Sequence, residues 1–532
     1  MKKVLLFISL IFTLSTSCQG REKVPGLKRD TTITKSNSYS EIFLDSLFLE
    51  RFISSRNPSP EDARRLRNFY NSRNYQFAWF TKEGLAEQAL AFWNLQQNYI
   101  SLSQDSLLFD SLLAGDMKVF VTDDSLVKQP SREMTELSLT SHFFKYAEHA
   151  YAGRIDPEEL QWYIPRKKVN EMVLLDSLIA NKGKRIESWE PVNRQYSLME
   201  KYLEQYNRLE MLGDTDSIIS PQKKIYRSGD SSKVITEVKK RLIAFNDYAS
   251  ADTSAIYNTE LVEAVRQFQR RHGLKEHGII NATFIAALNT PLKDRIRQML
   301  INMERIRWLP KEPPGKFILA NIPEYKLRVF ENSEKVMDMD IIVGKAANKT
   351  IIFNDQLQYL VFSPYWNVPS SIVRNEILPA MNRNSAYLRS KNMEITGYSG
   401  GLPSIRQRPG GSNSLGLVKF IFPNDYNIYF HDTPTKALFR EESRAFSHGC
   451  IRLSDPVKLA SYLLKDQSSW TPDKIKKAMN KGEESYVRLK APVPVVITYF
   501  TAWIDRDGLL NFRNDVYGHD ERMAGLLFVA KK

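Results

Sequence analysis

The sequence predicts a multidomain α+β protein with a helical N-terminal region, a compact three-helix module and a mainly β domain that carries an insertion. Three changes of pattern along the 532 residues indicate this. Apolar residues recur at helical spacing over residues 41–220, three short amphipathic segments fill 225–290, and from about 315 the apolar period changes to two. Because 42% of the residues are apolar, each region has enough material for a packed core.

Residues 1–18 have the form of an export signal. Lys2 and Lys3 precede an apolar run, Val4 to Leu14, which is too short for a bilayer that requires about 20 apolar residues. Cys18 follows at a position that resembles a bacterial lipoprotein processing site, where the cysteine is lipidated. Ser15 departs from the usual Leu of that pattern, so ordinary cleavage and soluble export stay open. Residues 19–40 are polar and predict a linker.

Residues 41–220 predict a helical scaffold domain without catalytic residues. Ser59-Pro60-Glu61-Asp62 combines an N-cap with Pro at the first helical position and acids in the first turn, and Asp156-Pro157 predicts a second start of this kind. His142 and His149 lie far from any nucleophile in the sequence, and we expect them on a helix surface or in the core.

Residues 225–290 predict a separate module of three short helices. Amphipathic segments run from Lys233 to Leu242 and from Tyr257 to Gln269, and a third helix follows from Phe284 to Leu288. The pattern of Ala264, Val265, Phe268 and Gln269 and the later Gly-Ile and Thr-Ala-Leu positions resembles the small peptidoglycan-binding domain. A generic helical bundle is the alternative.

Residues 315–490 predict a β sandwich or barrel, with strands at Phe317–Ile322, Tyr325–Phe330 and Lys335–Val343. The pattern breaks at about 370–415, where a helical stretch and a flexible segment, 408–414, predict an inserted lid. Asp455 is placed to cap a helix that begins at Pro456. Residues 491–532 predict a strand and a hairpin that pack on this domain.

Cys450 is the chain's one cysteine beyond Cys18, and it stands in Ser447-His448-Gly449-Cys450. A nucleophilic thiol requires a base within hydrogen-bond reach, because its free pKa is about 8.5. Three of the seven histidines, His431, His448 and His519, fall in the same domain. From the residues alone, each is a candidate. A zinc site and an inert buried thiol are further alternatives.

The spacing of His431, fifteen residues and then Ser447-His448-Gly449-Cys450 resembles the signature of the YkuD-type L,D-transpeptidases. The segment from Phe362 to Pro369 also resembles this family, and the order of scaffold, wall-binding module and catalytic domain with lid resembles its large YcbB-like branch. A competing order, with His519 as the base, would resemble the NlpC/P60 cysteine peptidases.

The resemblance implies a role for each residue of the signature. Cys450 would be the nucleophile and His431 the general base and acid, with its second nitrogen held by a backbone carbonyl such as that of Asp432. The backbone around His448, Gly449 and Cys450 would form the oxyanion hole. Ser447, Arg452, Tyr365, Trp366 and Asn367 would shape the turn or contact the substrate.

The same resemblance implies peptidoglycan 3→3 cross-linking through a cysteine thioester, with release of D-alanine and with no cofactor or metal. The expected partners are peptidoglycan stem peptides and glycan on the periplasmic side of the envelope, with the membrane reached through a lipid anchor at Cys18. The net charge of +14 is spread along the chain and suits such an anionic envelope, and no nucleic-acid partner is expected. L,D-carboxypeptidase trimming and a non-catalytic wall-binding scaffold stay open.

Overall fold

The computed structural model describes residues 26–122, 131–164, 166–185, 190–213, 217–219, 225–309 and 315–528. The expected signal segment and Cys18 lie outside the described residues. Among those described, no helix is both long and apolar enough to cross a membrane. The main helices in chain order are α1 (Ser46–Arg56), α2 (Pro60–Ser72), α3 (Glu87–Ser103), α4 (Ser111–Thr122), α5 (Arg132–Ala147), α6 (Glu171–Ala180), α7 (Arg194–Met211), α8 (Lys233–Ala244), α9 (Thr259–Arg271), α10 (Ala282–Leu288), α11 (Leu292–Arg307), α12 (Ser370–Ile372), α13 (Leu378–Arg383), α14 (Tyr387–Ser390), α15 (Pro456–Leu463), α16 (Pro472–Met479) and α17 (His519–Leu527).

The strands in chain order are β1 (Phe80–Thr81), β2 (Gly84–Leu85), β3 (Lys316–Asn321), β4 (Lys326–Glu331), β5 (Glu334–Gly344), β6 (Asn354–Phe362), β7 (Trp366–Asn367), β8 (Met393–Ser399), β9 (Leu402–Gln407), β10 (Val418–Ile421), β11 (Phe430–His431), β12 (Ala445–Ser447), β13 (Ile451–Leu453), β14 (Ser485–Thr498), β15 (Ala502–Ile504) and β16 (Leu510–Phe512). These helices and strands confirm the multidomain α+β class and the helical, three-helix and mainly β regions.

The chain divides into two compact units: residues up to 92 with 110–144 and 175–184, and the remainder. The segment 41–220 therefore contributes to both units, whereas the sequence predicted one scaffold domain. The reason is apolar packing: Trp162 is buried in the core of the second unit, where its ring lies 5.4 Å from that of Trp308. The helix predicted to start at Asp156 is only a 3₁₀ turn, Pro157–Leu160, which ends where Gln161 adopts a left-handed conformation. Ser59 caps α2 as predicted.

The three-helix module has the predicted helices α8, α9 and α10, and each has a polar N-cap, Ser232, Asn258 and Asn281. Its core is continuous with buried residues of α7, α11 and the hairpin β15–β16. The hairpin therefore packs on the core of the three-helix module and not, as predicted, on the β domain. Its apolar side chains, such as Ile504 and Phe512, fill that core, which three short helices alone leave incomplete.

The mainly β domain is a closed barrel. Its strands pair in the order β5-β13-β11-β10-β6-β14-β3-β4, and β4 pairs with β5 to complete the ring, while β12 extends the far edge of β5. The last ring strand, β14, runs from Ser485 to Thr498 and so crosses the predicted domain boundary at 490/491. Helix α17, which the sequence did not predict, returns to the barrel core with Met523 and Leu527.

The insertion (residues 370–415) has a small core of its own: Val368, Ile372, Val373, Ile377 and Ile405. It contains α12 to α14, a π-helical turn at Val373–Ile377, and the strands β8 and β9; β9 pairs with β8 on one side and with β7 on the other.

The segment 408–414, predicted to be flexible, is instead held by two buried amides. The Asn413 side chain donates to the carbonyls of Pro364 and Arg408, and the Gln407 side chain accepts from the Ser414 amide. These bonds satisfy backbone groups that would otherwise be buried without a hydrogen-bond partner, which explains why residues 408–414 follow an ordered path.

Candidate active site

The Cys450 turn (Ser447–Cys450) joins β12 to β13, and its shape depends on glycine. Gly449 has φ +118°, a value that other residues rarely adopt. A β-carbon at this position would meet only the Lys349 carbonyl oxygen, at 3.8 Å. The turn therefore requires glycine for its backbone conformation and not for lack of space.

Hydrogen bonds hold this turn on both sides. The Ser447 hydroxyl donates to the Cys450 carbonyl at 2.6 Å and accepts from the Gly449 amide at 3.1 Å. From the loop between β5 and β6, the Thr350 hydroxyl donates to the Gly449 carbonyl at 2.7 Å and accepts from the Gly344 amide at 2.9 Å. Ser447 thus shapes the turn, one of the two roles that the sequence allowed it.

Strand register brings His431 to the same face of the sheet as Cys450. In the parallel pair β11–β13, Phe430 lies opposite Ile451 and His431 opposite Arg452. Phe430 and Ile451 are fully buried in the barrel, so the alternate residues face outward. The outward set comprises Tyr429, His431, Cys450 and Arg452. Lys419 on β10 lies opposite His431 on the other side, so the imidazole stands in a row between two cations.

His431 is a buried, neutral imidazole. Its Nδ1 donates to the carbonyl oxygen of Asp432 at 2.5 Å, so Nε2 is the basic nitrogen. Burial, followed by the positive charge of Arg452, lowers the pKa of His431 to about 3, although the Asp432 and Leu415 carbonyls favour the protonated form. At neutral pH this side chain is able to accept a proton.

The Cys450 thiol is partly exposed and donates to the Asn427 carbonyl oxygen at 3.4 Å. Burial of most of the side chain raises its pKa, while hydrogen bonds from the Tyr429 backbone amide and hydroxyl and the charge of Arg452 act in the opposite direction. Burial also raises the pKa of Tyr429, so its hydroxyl is protonated beside the sulfur. The resting site therefore contains a neutral thiol and a neutral imidazole on the same face of the sheet.

His448 and Arg452 point to different partners. The Nε2 atom of His448 lies 2.7 Å from Glu376 Oε1, in the π-helical turn of the insertion, so this ring contacts the insertion. Arg452 donates to the Thr435 hydroxyl at 3.2 Å, and its buried Nε has no hydrogen-bond partner among the described residues.

Tyr365, Trp366 and Asn367, which were expected to contact the substrate, lie at the base of the insertion. Trp366 and Asn367 form β7, which pairs with β9 of the insertion. The Tyr365 amide donates to Glu484, and the Arg406 guanidinium lies 4.1 Å from the centre of the Tyr365 ring. The structure thus groups these residues with the insertion, whereas Cys450, His431 and Arg452 share the barrel face.

The competing base, His519, lies in an aromatic cage. Its ring is 4.8 Å from that of Tyr499, 5.5 Å from that of Trp162 and 5.8 Å from that of Tyr517. Burial lowers the pKa of His519 to about 4. In the part of the chain that the structure describes, no group of three or more His, Cys, Asp or Glu side chains is arranged to hold a metal ion.

Sequence reasoning missed Tyr429, Lys419, Thr350 and Glu376. Tyr429 stands two residues before His431, and the period of two along a strand could have placed it on the same face. The other three reach the site through strand pairing or from the insertion, and no local spacing marks them.

Comparisons with known proteins identify three segments. Residues 315–495 match the family model of the L,D-transpeptidase catalytic domain (YkuD), residues 64–203 match a scaffold domain, and residues 231–288 match a domain described as "Putative peptidoglycan binding domain". A curated protein of Haemophilus influenzae, described as "Putative L,D-transpeptidase", is 28% identical over 294 residues. The match covers 52% of this chain, and the chain spans 59% of the length of that relative.

Among solved structures, an L,D-transpeptidase from Xylanimonas cellulosilytica is 14% identical and covers 53% of this chain and 99% of its own, with a TM-score of 0.19. An L,D-transpeptidase from Mycobacterium smegmatis is 15% identical and covers 35% of this chain and 58% of its own, also with a TM-score of 0.19. Such low TM-scores add nothing to the family matches. Those matches assign residues 315–495 to the L,D-transpeptidase catalytic domain family.

Proposed function

We propose that this L,D-transpeptidase catalytic domain forms 3→3 cross-links in peptidoglycan through a thioester on Cys450. The observation that carries the proposal is the placement of a neutral imidazole, His431, on the same outward face as a partly exposed thiol in a glycine-dependent turn. A neutral imidazole is the form that can take the thiol proton.

The reaction begins when His431 Nε2 takes the proton of Cys450 and the sulfur attacks the carbonyl carbon of the third residue, a diamino acid, of a tetrapeptide stem. The Cys450 amide and the protonated Tyr429 hydroxyl are donors for the resulting oxyanion. The Gly449 amide is already bonded to Ser447, so the expected contribution of Gly449 is the turn conformation itself.

The intermediate then collapses to products. The carbon–nitrogen bond to D-alanine breaks, the imidazolium of His431 gives its proton to the leaving amine, and a thioester remains. The side-chain amine of a second stem attacks the thioester, His431 takes the amine proton, the carbon–sulfur bond breaks, and His431 returns that proton to the leaving sulfur, so that an amide and the free thiol result. The half-buried Arg452 guanidinium is suited to bind a carboxylate of the stem peptide.

Peptidoglycan lies outside the cytoplasm, and the export signal expected at residues 1–18 would bring the enzyme there. Lipidation at Cys18 would hold the chain at the membrane surface, with residues 19–40 as a tether to the wall. Radiolabelled palmitate incorporation, compared between the native chain and Cys18→Ala, tests this anchor.

Acylation by a carbapenem, followed by intact mass spectrometry, tests the nucleophile. We expect one adduct, its absence in Cys450→Ala, and at least a 100-fold slower acylation in His431→Gln. Muropeptide analysis with purified protein tests the acceptor: cross-linked dimers support transpeptidation, and tripeptides without dimers would show carboxypeptidase activity instead. No adduct, together with no muropeptide product, would leave a non-catalytic scaffold.

A further inference from the structure

The insertion contacts the Cys450 turn through the carboxylate of Glu376. Glu376 Oε1 lies 2.7 Å from Nε2 of His448, the residue two positions before the nucleophile. Glu376 belongs to the π-helical turn Val373–Ile377, whose two end residues are buried in the core of the insertion. Turns of this kind are rare and often lie at functional sites. The core of the insertion therefore holds this carboxylate in place beside the turn.

Both side chains of this pair are accessible to a ligand. The side chain of Glu376 is 51% exposed, and that of His448 is 36% exposed. Because His448 precedes Cys450 by two residues, their Cα atoms are at most about 7 Å apart. Cys450 is itself partly exposed. A small group that contacts the pair can therefore also reach the sulfur.

The barrel face and the insertion present opposite charges to this place. On the barrel face, Arg452 and Lys419 lie on either side of His431. The acid next to His431, Asp432, is already bonded, because its carboxylate accepts from Lys436 Nζ at 2.7 Å and from a backbone amide at 2.9 Å. The barrel face thus suits the carboxylates of a donor stem, whereas the exposed carboxylate of the insertion suits a cation.

The acceptor of the proposed reaction arrives as such a cation. An alkyl ammonium group of the lysine type has a pKa of about 10.4, so at neutral pH it carries one proton more than the nucleophilic amine. Formation of the amide removes a second proton, and His431 passes that proton to the leaving sulfur. The first proton therefore requires a different base, which must lie close to the thioester.

We propose that Glu376 and His448 bind the ammonium group of the acceptor and take its first proton. The inference rests on the proposed function, whose second step it describes. With Nε2 of His448 donating to Glu376, Nδ1 is the basic nitrogen. Nδ1 takes the proton, the carboxylate stabilises the imidazolium that forms, and the neutral amine attacks the thioester. The exposed ring then gives the proton to water, so that ammonium and thioester become amide, thiol and one free proton.

Glu376→Gln tests the charge of the pair, because glutamine has the same size and can still accept a hydrogen bond from His448. The matched control is Glu442→Gln, the same change at an exposed residue on the chain between His431 and Cys450. A disaccharide tetrapeptide serves as the donor, and a disaccharide tripeptide with a free side-chain amine serves as the acceptor. Release of D-alanine counts the thioesters formed, and mass spectrometry counts the dimers. The number of dimers per D-alanine therefore measures the acceptor step alone.

Methoxyamine is a second acceptor that separates the charge of the pair from the shape of the site. It is weakly basic and unprotonated at neutral pH, so it requires neither a carboxylate to bind it nor a base for a first proton. In Glu376→Gln we expect the carbapenem adduct to form within about twofold of the native rate, and the dimers per D-alanine to fall at least about tenfold. Methoxyamine should capture the thioester as it does in the native chain. Glu376→Asp should retain part of the dimer yield, and the control should retain all of it.

A native dimer yield in Glu376→Gln would overturn the inference. Equal losses with the tripeptide and with methoxyamine would also overturn it, because they would show that Glu376 only holds the insertion on the turn. Release of D-alanine without dimers by the native chain would retain the thioester and overturn the assignment of the acceptor site. The absence of both the adduct and D-alanine in the native chain would refute the proposed function itself, and the inference with it.

Discussion

Replacement of Gly449 by alanine tests whether the shape of the Cys450 turn is required for its chemistry. A non-glycine residue at φ +118° carries a strain of about 1–3 kcal/mol. The added methyl group meets nothing closer than 3.8 Å, so no steric clash enters the result. The Ser447 and Thr350 hydrogen bonds that oppose relaxation contribute about 1 kcal/mol each. The backbone strain energy and the energy of the two restraining hydrogen bonds are thus similar, so we expect the turn to relax in part.

A partial relaxation moves the sulfur relative to His431. A displacement of about 1 Å of a reacting group can reduce a rate by roughly 100-fold. We expect Gly449→Ala to acylate with a carbapenem at least tenfold more slowly and to unfold at a lower urea concentration.

Gly508→Ala is the matched control, because Gly508 has φ +79° in the hairpin turn and a β-carbon there meets no atom within 4 Å. This control should lose a similar amount of stability and retain native acylation. If both variants were equally destabilised and both acylated at the native rate, the glycine would be required for folding alone and the proposed role of the turn would be wrong.

Four further results are expected. Thr350→Val leaves a buried amide and carbonyl unpaired, so unfolding free energy should fall by about 1–3 kcal/mol; an unchanged urea midpoint would contradict this. His519→Gln should be acylated at a rate within twofold of native. A large loss of acylation would instead support His519 as the base, the arrangement that resembles the NlpC/P60 cysteine peptidases. Because the pKa of His431 is about 3, acylation followed by mass spectrometry should show no step from this imidazole between pH 5 and 8; a step lost in His431→Gln would refute it. Burial raises the pKa of Glu136 to about 7, so the protonated carboxyl stabilises the folded state. This stabilisation is fully present below pH 4.5, and about 3 kcal/mol of it is lost by pH 8 as the buried group ionises. In Glu136→Gln, the free energy of unfolding measured in urea should not show this loss.

Local patterns were sufficient to predict the helices of the three-helix module and most strands of the barrel. The caps at Ser59 and Asp455 and the apolar period of two depend on residues a few positions apart, so they are visible in one sequence. The relation of His431 to Cys450 was also accessible, because it belongs to a spacing that resembles a known family.

Non-local packing explains what the sequence did not reveal. The hairpin at Asp507-Gly508 was recognised as a hairpin, but the core it completes was not, because apolar side chains do not specify their partners. The contact of Glu376 with His448 spans 72 positions. The ordered path of residues 408–414 depends on two amides, and the many glycine and serine residues there concealed it.

Strand β14 has a consequence for the order of folding. The ring of the barrel closes only when residues 485–498 lie between β3, which begins 169 residues earlier at Lys316, and β6. Until residues 485–498 have been synthesised, β3 and β6 each expose an unpaired edge. The nucleophile is therefore made before the sheet that positions it can close. A chain truncated near residue 480 would therefore lack a competent thiol site although every residue of the signature was present.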